Sequence, residues 1–315
     1  LHRVDRRQRQ MCIRDSIVWR ALGSPVHYIE PFFGSGAVLL NRPNWTPDMI
    51  ETVCDADGYV SNVWRAIQFA PEETARWCDW PVNHADLIAR KARLVKEKNY
   101  LLENLCRDEK WFDAELAGYW IWAASCWIGA GLTRPNQRPS MCDAGVHAKR
   151  WRPCFAGEDK NVCDPFNENI YSWFRRLSER LRYVRVVCGN WTRVCGGKWQ
   201  DLRGLCGIFF DPPYGADADR DKNIYHVDSL EIANAVAAWA LERGSNPKYR
   251  IVIAGYDGEH KELISAGWSI YSWTAQGGYS NIAKRESTRG KMNRHREILF
   301  FSPHCIDIKL SLIHI

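Results

Sequence analysis

No stretch of this chain of 315 residues is apolar for long enough to span a membrane, and no apolar core segment follows the opening LHRVDRRQRQ, as a signal peptide would require. There is no CxxC pair among the 12 cysteines, and no repeat or low-complexity tract. The stretch holding Cys142, His147, Cys154 and Cys163 therefore lacks zinc-ligand spacing, and no metal is expected. Without a secretory signal, scattered cysteines are expected to stay reduced in a cytoplasm rather than form a disulfide framework. A large excess of charge is also missing. The formal net charge is +6, and residues 1–16 hold five Arg and two Asp of it, which leaves 38 Lys and Arg against 35 Asp and Glu, or +3. Net charge thus says little about nucleic acid, and only the distribution of charge can argue for it.

What is present is concentrated in one tetrapeptide. Asp211-Pro212-Pro213-Tyr214 follows directly on the apolar run Gly207-Ile208-Phe209-Phe210. A short buried strand ending in an acid, two ring-locked residues and an aromatic predicts a stiff, polar-lipped slot at the carboxyl end of a sheet, where open α/β folds bind ligands. Such a slot suits a flat nucleobase. Methylating an exocyclic amino group needs acceptors for its N–H hydrogens, and the Asp211 carboxylate and Pro212 carbonyl both accept. Pro212 and Pro213 fix φ and bring no competing N–H, while Tyr214 can stack on the ring.

Upstream, Tyr28-Ile29-Glu30-Pro31-Phe32-Phe33-Gly34-Ser35-Gly36-Ala37 reads as a strand running into a small-residue turn, with a helix starting at Val38-Leu39-Leu40. Gly34 and Gly36 permit positive φ and close approach of a ligand, and a helix start directs N–H groups toward it. Roughly twenty residues on, Val53-Cys54-Asp55-Ala56-Asp57 offers carboxylates at the tip of a second strand, where this class of sheet commonly grips a ribose. The two segments together suggest a nucleoside-cofactor site.

The series EPFFGSGAVLL, CDADGYVSNVW, a long insertion, FFDPPYG, IVIAGYD and REILFFSP resembles the Dam-type DNA adenine-N6 methyltransferases, including their phage relatives, over most of residues 17–305. The resemblance implies an α/β, Rossmann-like sheet with S-adenosylmethionine as methyl donor, double-stranded DNA as partner and a target adenine rotated out of the duplex. It implies a bacterial or phage-infected cytoplasm and a role of the restriction-modification kind. On this mapping Glu30, Phe32, Gly34 and Gly36 form the cofactor turn and Asp55 the ribose-side acid. Asn190 stands where relatives often carry an Asp beside the cofactor's adenine, and Asp211, Pro212, Pro213 and Tyr214 hold the target base, Asp211 also facing the cofactor. Ribosomal-RNA guanine methyltransferases also carry DPPY, and protein glutamine methyltransferases carry NPPY. The insertion ahead of DPPY and the GYD and REILFFSP segments argue against both, and an RNA or other amino-group methyltransferase stays open as an alternative.

The expected organisation is a catalytic domain over residues 17–74 and 166–309 and a mainly helical target-recognition insertion over 75–165. The insertion opens on a polar helical stretch from Ala85 to Asn104, then carries Trp111, Tyr119, Trp120, Trp122 and Trp127, for which helix packing is the expected role of Trp120 and Trp122. A basic loop follows, with Arg134, Arg138, Lys149, Arg150 and Arg152 between the cofactor turn and DPPY, a position that favours DNA contact. A helix is expected from Ser229 to Arg243, a strand from Tyr249 to Ala254, and a closing hairpin from Trp268–Trp273 and Glu297–Phe301. Lys284, Arg285, Arg289, Lys291, Arg294 and Arg296 lie between the hairpin strands, as a phosphate clamp would.

Residues 310–315, LSLIHI, are what CTG TCT CTT ATA CAC ATC encodes, and the reverse complement of that DNA, shifted by one base, begins Met-Cys-Ile-Arg-Asp, as residues 11–16, MCIRDS, do. The DNA is similar to a transposon adapter used in sequencing libraries, so residues 1–16 and 310–315 are expected to be translated adapter or assembly sequence. The resemblance also implies a Tyr-x-Gly-Gly-Lys stretch just before Ile17, closing over the cofactor, and it is absent there. A truncated DNA-binding remnant without activity is therefore an open alternative to the enzyme.

Overall fold

The computed structural model describes residues 14–127, 131–136, 169–212, 226–256, 258–272 and 297–308. It is an α/β fold built on a seven-stranded, mostly parallel sheet in the order β3-β2-β1-β4-β5-β7-β6. The strands are β1 (His27–Glu30), β2 (Ile50–Asp55), β3 (Val184–Cys188), β4 (Cys206–Phe210), β5 (Tyr249–Tyr256), β6 (Ser269–Ser272) and β7 (Glu297–Phe301). β1 pairs parallel with β2 and with β4, and β4 pairs parallel with β5. β7 runs antiparallel to both β5 and β6. The chain falls into two compact units, Leu1–Val53 with Val194–Ile315, and Cys54–Arg193.

The first unit carries the central strands. β1 and β4 are buried along their whole length, the pattern of strands covered on both faces. Helix α1, residues 14–22, buries Ile17, Val18, Trp19, Ala21 and Leu22. Its Trp19 indole donates to the Val38 carbonyl at 2.7 Å and lies 4.6 Å from the Tyr28 ring, so it ties β1 to the short helix α2 (Ala37–Leu40). A buried ion pair, Arg42 to Glu51 at 2.9 Å, is completed by the Trp45 indole on the second carboxylate oxygen at 3.1 Å. Later in the chain, helix α9 (His226–Gly244) buries Ala233, Val236, Ala237 and Ala240, and its Trp239 ring meets Phe210 edge-on at 5.5 Å. The short helix α10 (Lys261–Ser265) precedes β6.

The second unit, Cys54–Arg193, holds β3 and a group of helices, and its bounds are wider than the 75–165 expected for the insertion. Its helices are α3 (Gly58–Phe69), α4 (Pro71–Cys78), α5 (His84–Arg107), α6 (Ala114–Cys126) and α7 (Ile170–Leu181), with the single turn α8 (Thr192–Cys195) at its end. Each start has a local cause. Asp57, Asn83, Asp113 and Asn169 accept backbone N–H bonds as N-caps, and Pro71 opens α4, where its missing N–H costs nothing. Arg65 is buried on α3 and donates to the carbonyls of Val186, Leu105, Asp108 and Trp111, which fastens β3 and the end of α5 to one side chain. Arg90 is packed among Trp80, Tyr119 and Trp122, with its guanidinium carbon 4.8, 4.4 and 4.6 Å from the ring centroids. Trp122 is fully buried and donates to the Trp80 carbonyl at 2.9 Å, so it packs helices as expected.

Candidate functional site

The strand order dictates where a ligand site would form in the first unit. From β1 the chain moves outward through β2 to β3, then returns to β4 on the other side of β1 and continues to β5. The order reverses between β1 and β4. At such a switch point the crossover connections leave in opposite directions, opening a crevice beyond the carboxyl ends of the two strands. Glu30 ends β1 and Asp211 immediately follows β4, and the two strands are hydrogen-bonded in parallel register from His27 opposite Cys206 to Ile29 opposite Ile208. Phe32 and Phe210, next to the two acids, have ring centroids 6.4 Å apart. The two motifs, whose acids Glu30 and Asp211 are 181 residues apart in sequence, thus end side by side.

After β1 the backbone turns through two left-handed glycines, Gly34 at φ 47° and Gly36 at φ 68°. Gly36 is the N-terminal cap of α2, and an L residue with a side chain would be strained there. Around Gly34 no heavy atom lies within 4 Å of where a Cβ would stand, so the turn has an open side. After β4, Asp211 is part-exposed and Pro212 buried. Pro213 and Tyr214 lie outside the described residues.

Glu30 is 3% exposed, and its Oε2 accepts from the Tyr28 hydroxyl at 2.9 Å. Burial pushes the Glu30 carboxyl well above the usual carboxylate range, against the Tyr28 hydrogen bond and the Arg14 charge, which lower it, and with Asp211 and Asp15, which raise it further. The acid at the turn is therefore biased toward its neutral form. Arg14 Nη1 donates to Asp211 Oδ2 at 3.2 Å, and Asp15, fully buried, accepts from Asn41 at 3.0 Å. The resemblance gave no role to Arg14 and Asp15, because they stand within residues 1–16. No sequence signal links them to Asp211.

Asp55 and Asn190 belong to the second unit, where they come together. Asp55 ends β2, its Oδ1 accepts from the Asp57 N–H at 2.8 Å, and its carbonyl accepts from Gly189 N at 2.9 Å. Asn190 is exposed, and its Oδ1 caps α8, accepting from Thr192 N at 3.0 Å and Thr192 Oγ1 at 2.9 Å. The oxygen of the residue expected beside the cofactor's adenine is thus already engaged locally, and Asn-x-Thr is as much a local turn pattern as a ligand signal. Of the basic residues expected on DNA, Arg134 is exposed and its carbonyl accepts from the buried Lys91 at 2.5 Å. Arg138, Lys149, Arg150, Lys284, Arg285, Arg289, Lys291 and Arg294 lie outside the described residues.

Among the described residues no cluster of His, Cys, Asp or Glu could hold a metal ion, and no helix is long and apolar enough to cross a membrane. No family model matches this chain, and no curated protein matches it in sequence.

Proposed function

We propose that this chain is a site-specific DNA methyltransferase that moves a methyl group from S-adenosylmethionine to the exocyclic amino group of an adenine flipped out of double-stranded DNA. The observation that carries the reading is the adjacency of Glu30 and Asp211 at the switch point, with a glycine turn following one and Pro212 the other. The sheet order, with β7 antiparallel, is in keeping with a Rossmann-like methyltransferase. The open, left-handed Gly34 and Gly36 turn fits the close approach of a nucleoside cofactor. Bound there, S-adenosylmethionine supplies an electrophilic methyl on a sulfonium.

The rest is work for this chain's own atoms. The Asp211 carboxylate and the Pro212 carbonyl accept the two amino hydrogens of the base, which turns the nitrogen lone pair toward the donor. Raised by burial, the Glu30 carboxyl is biased against placing a second negative charge beside Asp211. No covalent enzyme intermediate is needed, so catalysis rests on proximity and orientation. Extruding the base costs a few kcal/mol, which stacking and the amino-edge hydrogen bonds must offset.

The test supplies tritiated S-adenosylmethionine and unmethylated double-stranded DNA to the chain, and to a form carrying a Tyr-x-Gly-Gly-Lys stretch ahead of Ile17. Label in N6-methyladenine supports the reading, and Asp211→Ala should remove it. Label in guanine or in RNA replaces the substrate class. DNA binding with no label in either form leaves the remnant in place of the enzyme.

A further inference from the structure

A cavity of about 370 Å³ opens within the second unit, walled by α3, the end of α5 with the turn after it, and β3. Its lining is strongly one-signed. Arg65, Lys110, Arg182, Arg185 and Arg193 face it, against the single acid Glu109. Arg65 is held in place by four carbonyls, and Arg193 lies over Gly189 and donates to the Cys188 carbonyl at 2.6 Å. Arg182 and Arg185 are exposed at the rim. A pocket lined by cations, some fixed by backbone carbonyls and some exposed, favours small anions.

The same cavity is lined by two thiols. Cys106, at the end of α5, is exposed, and Cys188, the last residue of β3, is buried. The two come from different elements and line the same cavity, where burial, helped by the charge of Cys106, raises the Cys188 thiol. An accessible sulfur backed by a buried one, inside a cationic cleft, is the arrangement of an attacking and a resolving cysteine.

We infer that this cleft is a thiol-modification site for an anionic low-molecular-weight disulfide of the glutathione kind, with Cys106 attacking and Cys188 resolving. Cys106 loses its proton to water and its sulfur attacks one sulfur of the ligand. The ligand's S–S bond breaks, its other half leaves as a thiolate and takes up a proton, and Cys106 carries the mixed disulfide. Cys188 then gives up its proton, its sulfur attacks that of Cys106, and the second half of the ligand leaves as a thiol. The protein is oxidised by two electrons and one ligand disulfide is reduced to two thiols. Cys106 is exposed and Cys188 buried, so the ligand meets Cys106 first, and burial pushes the Cys188 thiol up to about 11. The bond would fasten the end of α5 to edge strand β3. The inference is independent of the methyltransferase reading.

The experiment treats the reduced full-length protein with oxidised glutathione and, in parallel, with cystamine, a cationic disulfide of similar chemistry, and follows intact mass and proteolytic peptides. The expected product is a peptide pair joined through Cys106 and Cys188, formed roughly tenfold faster with oxidised glutathione than with cystamine at low salt. Cys188→Ser and Cys188→Ala should each stop the reaction at one glutathionyl group on Cys106, and Cys106→Ser should remove both products. Arg182→Glu with Arg185→Glu should abolish the preference for the anionic reagent. Equal rates with the two reagents, or a wild-type adduct on Cys106 that never passes to Cys188, would overturn the inference. The wild-type peptide map decides the matter even if a Cys188 variant fails to fold.

Discussion

The Arg14 guanidinium donates to the Asp211 carboxylate, Nη1 to Oδ2 at 3.2 Å, across 197 residues of chain. The side chains are 21% and 27% exposed, so solvent screens the pair, and holding Arg14 there costs side-chain entropy. Arg14→Ala should change unfolding free energy in urea by less than about 1 kcal/mol. Because Arg14 occupies the carboxylate proposed to receive the adenine amino group, the same substitution should tighten binding of DNA carrying a mismatched target adenine, read by fluorescence anisotropy. Weaker binding would instead assign Arg14 to the DNA.

Asp211→Asn should keep the fold and cost on the order of a hundredfold or more in methyl transfer, since one of two fixed acceptors is replaced by a group that also donates. Single-turnover kinetics with tritiated cofactor measures it. Undiminished transfer would remove Asp211 from the chemistry.

Glu30 gives a pH signature. Its carboxyl is raised in the folded state, chiefly by burial, so between the ordinary carboxylate value and the raised one the native state holds a proton that the unfolded chain has released. Its contribution to stability is full below the ordinary value and is lost as pH rises through the raised value. Urea midpoints should therefore fall with rising pH over that window, and Glu30→Gln should flatten this part of the profile. A Glu30→Gln profile as steep as the wild type would assign the effect elsewhere.

Arg42 and Glu51 form a buried pair with side chains 2% and 0% exposed. Glu51→Gln leaves a buried guanidinium without its counter-ion and should cost about 3–5 kcal/mol, whereas replacing both residues by apolar ones of similar volume should cost less. A double-mutant cycle on denaturant unfolding separates the two.

Gly118 on α6 has no room for a side chain, because a Cβ there would lie 2.3 Å from Trp77 Cβ and 2.9 Å from the Trp77 carbonyl carbon. Gly118→Ala forces α4 and α6 apart and should destabilise by about 1–3 kcal/mol or more, despite the better helix propensity of Ala. Thermal unfolding followed by circular dichroism checks it.

Local pattern was enough for several elements. The apolar run before Asp211 is β4, the polar stretch expected over Ala85 to Asn104 is the middle of α5, the stretch from Ser229 to Arg243 lies within α9, and the closing segments pair as β6 and β7. In each, periodicity or uniform apolarity is written in consecutive residues. The adjacency of Glu30 and Asp211 was legible only through the motifs that end their strands, because parallel pairing leaves no local trace. Arg65, Arg90 and the Arg42 to Glu51 pair were not legible at all. A buried arginine looks like any surface arginine in sequence, and its carbonyl or aromatic partners lie on other elements. Asn190 shows the converse limit, where the short polar pattern expected at a ligand makes a local backbone contact, its Oδ1 accepting from Thr192 N.

The placement of β7 between β5 and β6 sets a condition on synthesis. β7, the last of the described strands in chain order, is not added at the rim but wedged between two that emerge before it. Until residue 301 is free, β6 has no neighbour and β5 presents an unpaired apolar flank. A stalled or prematurely released nascent chain would thus expose a sticky sheet margin, so chaperone demand should be greatest for products ending between β6 and β7.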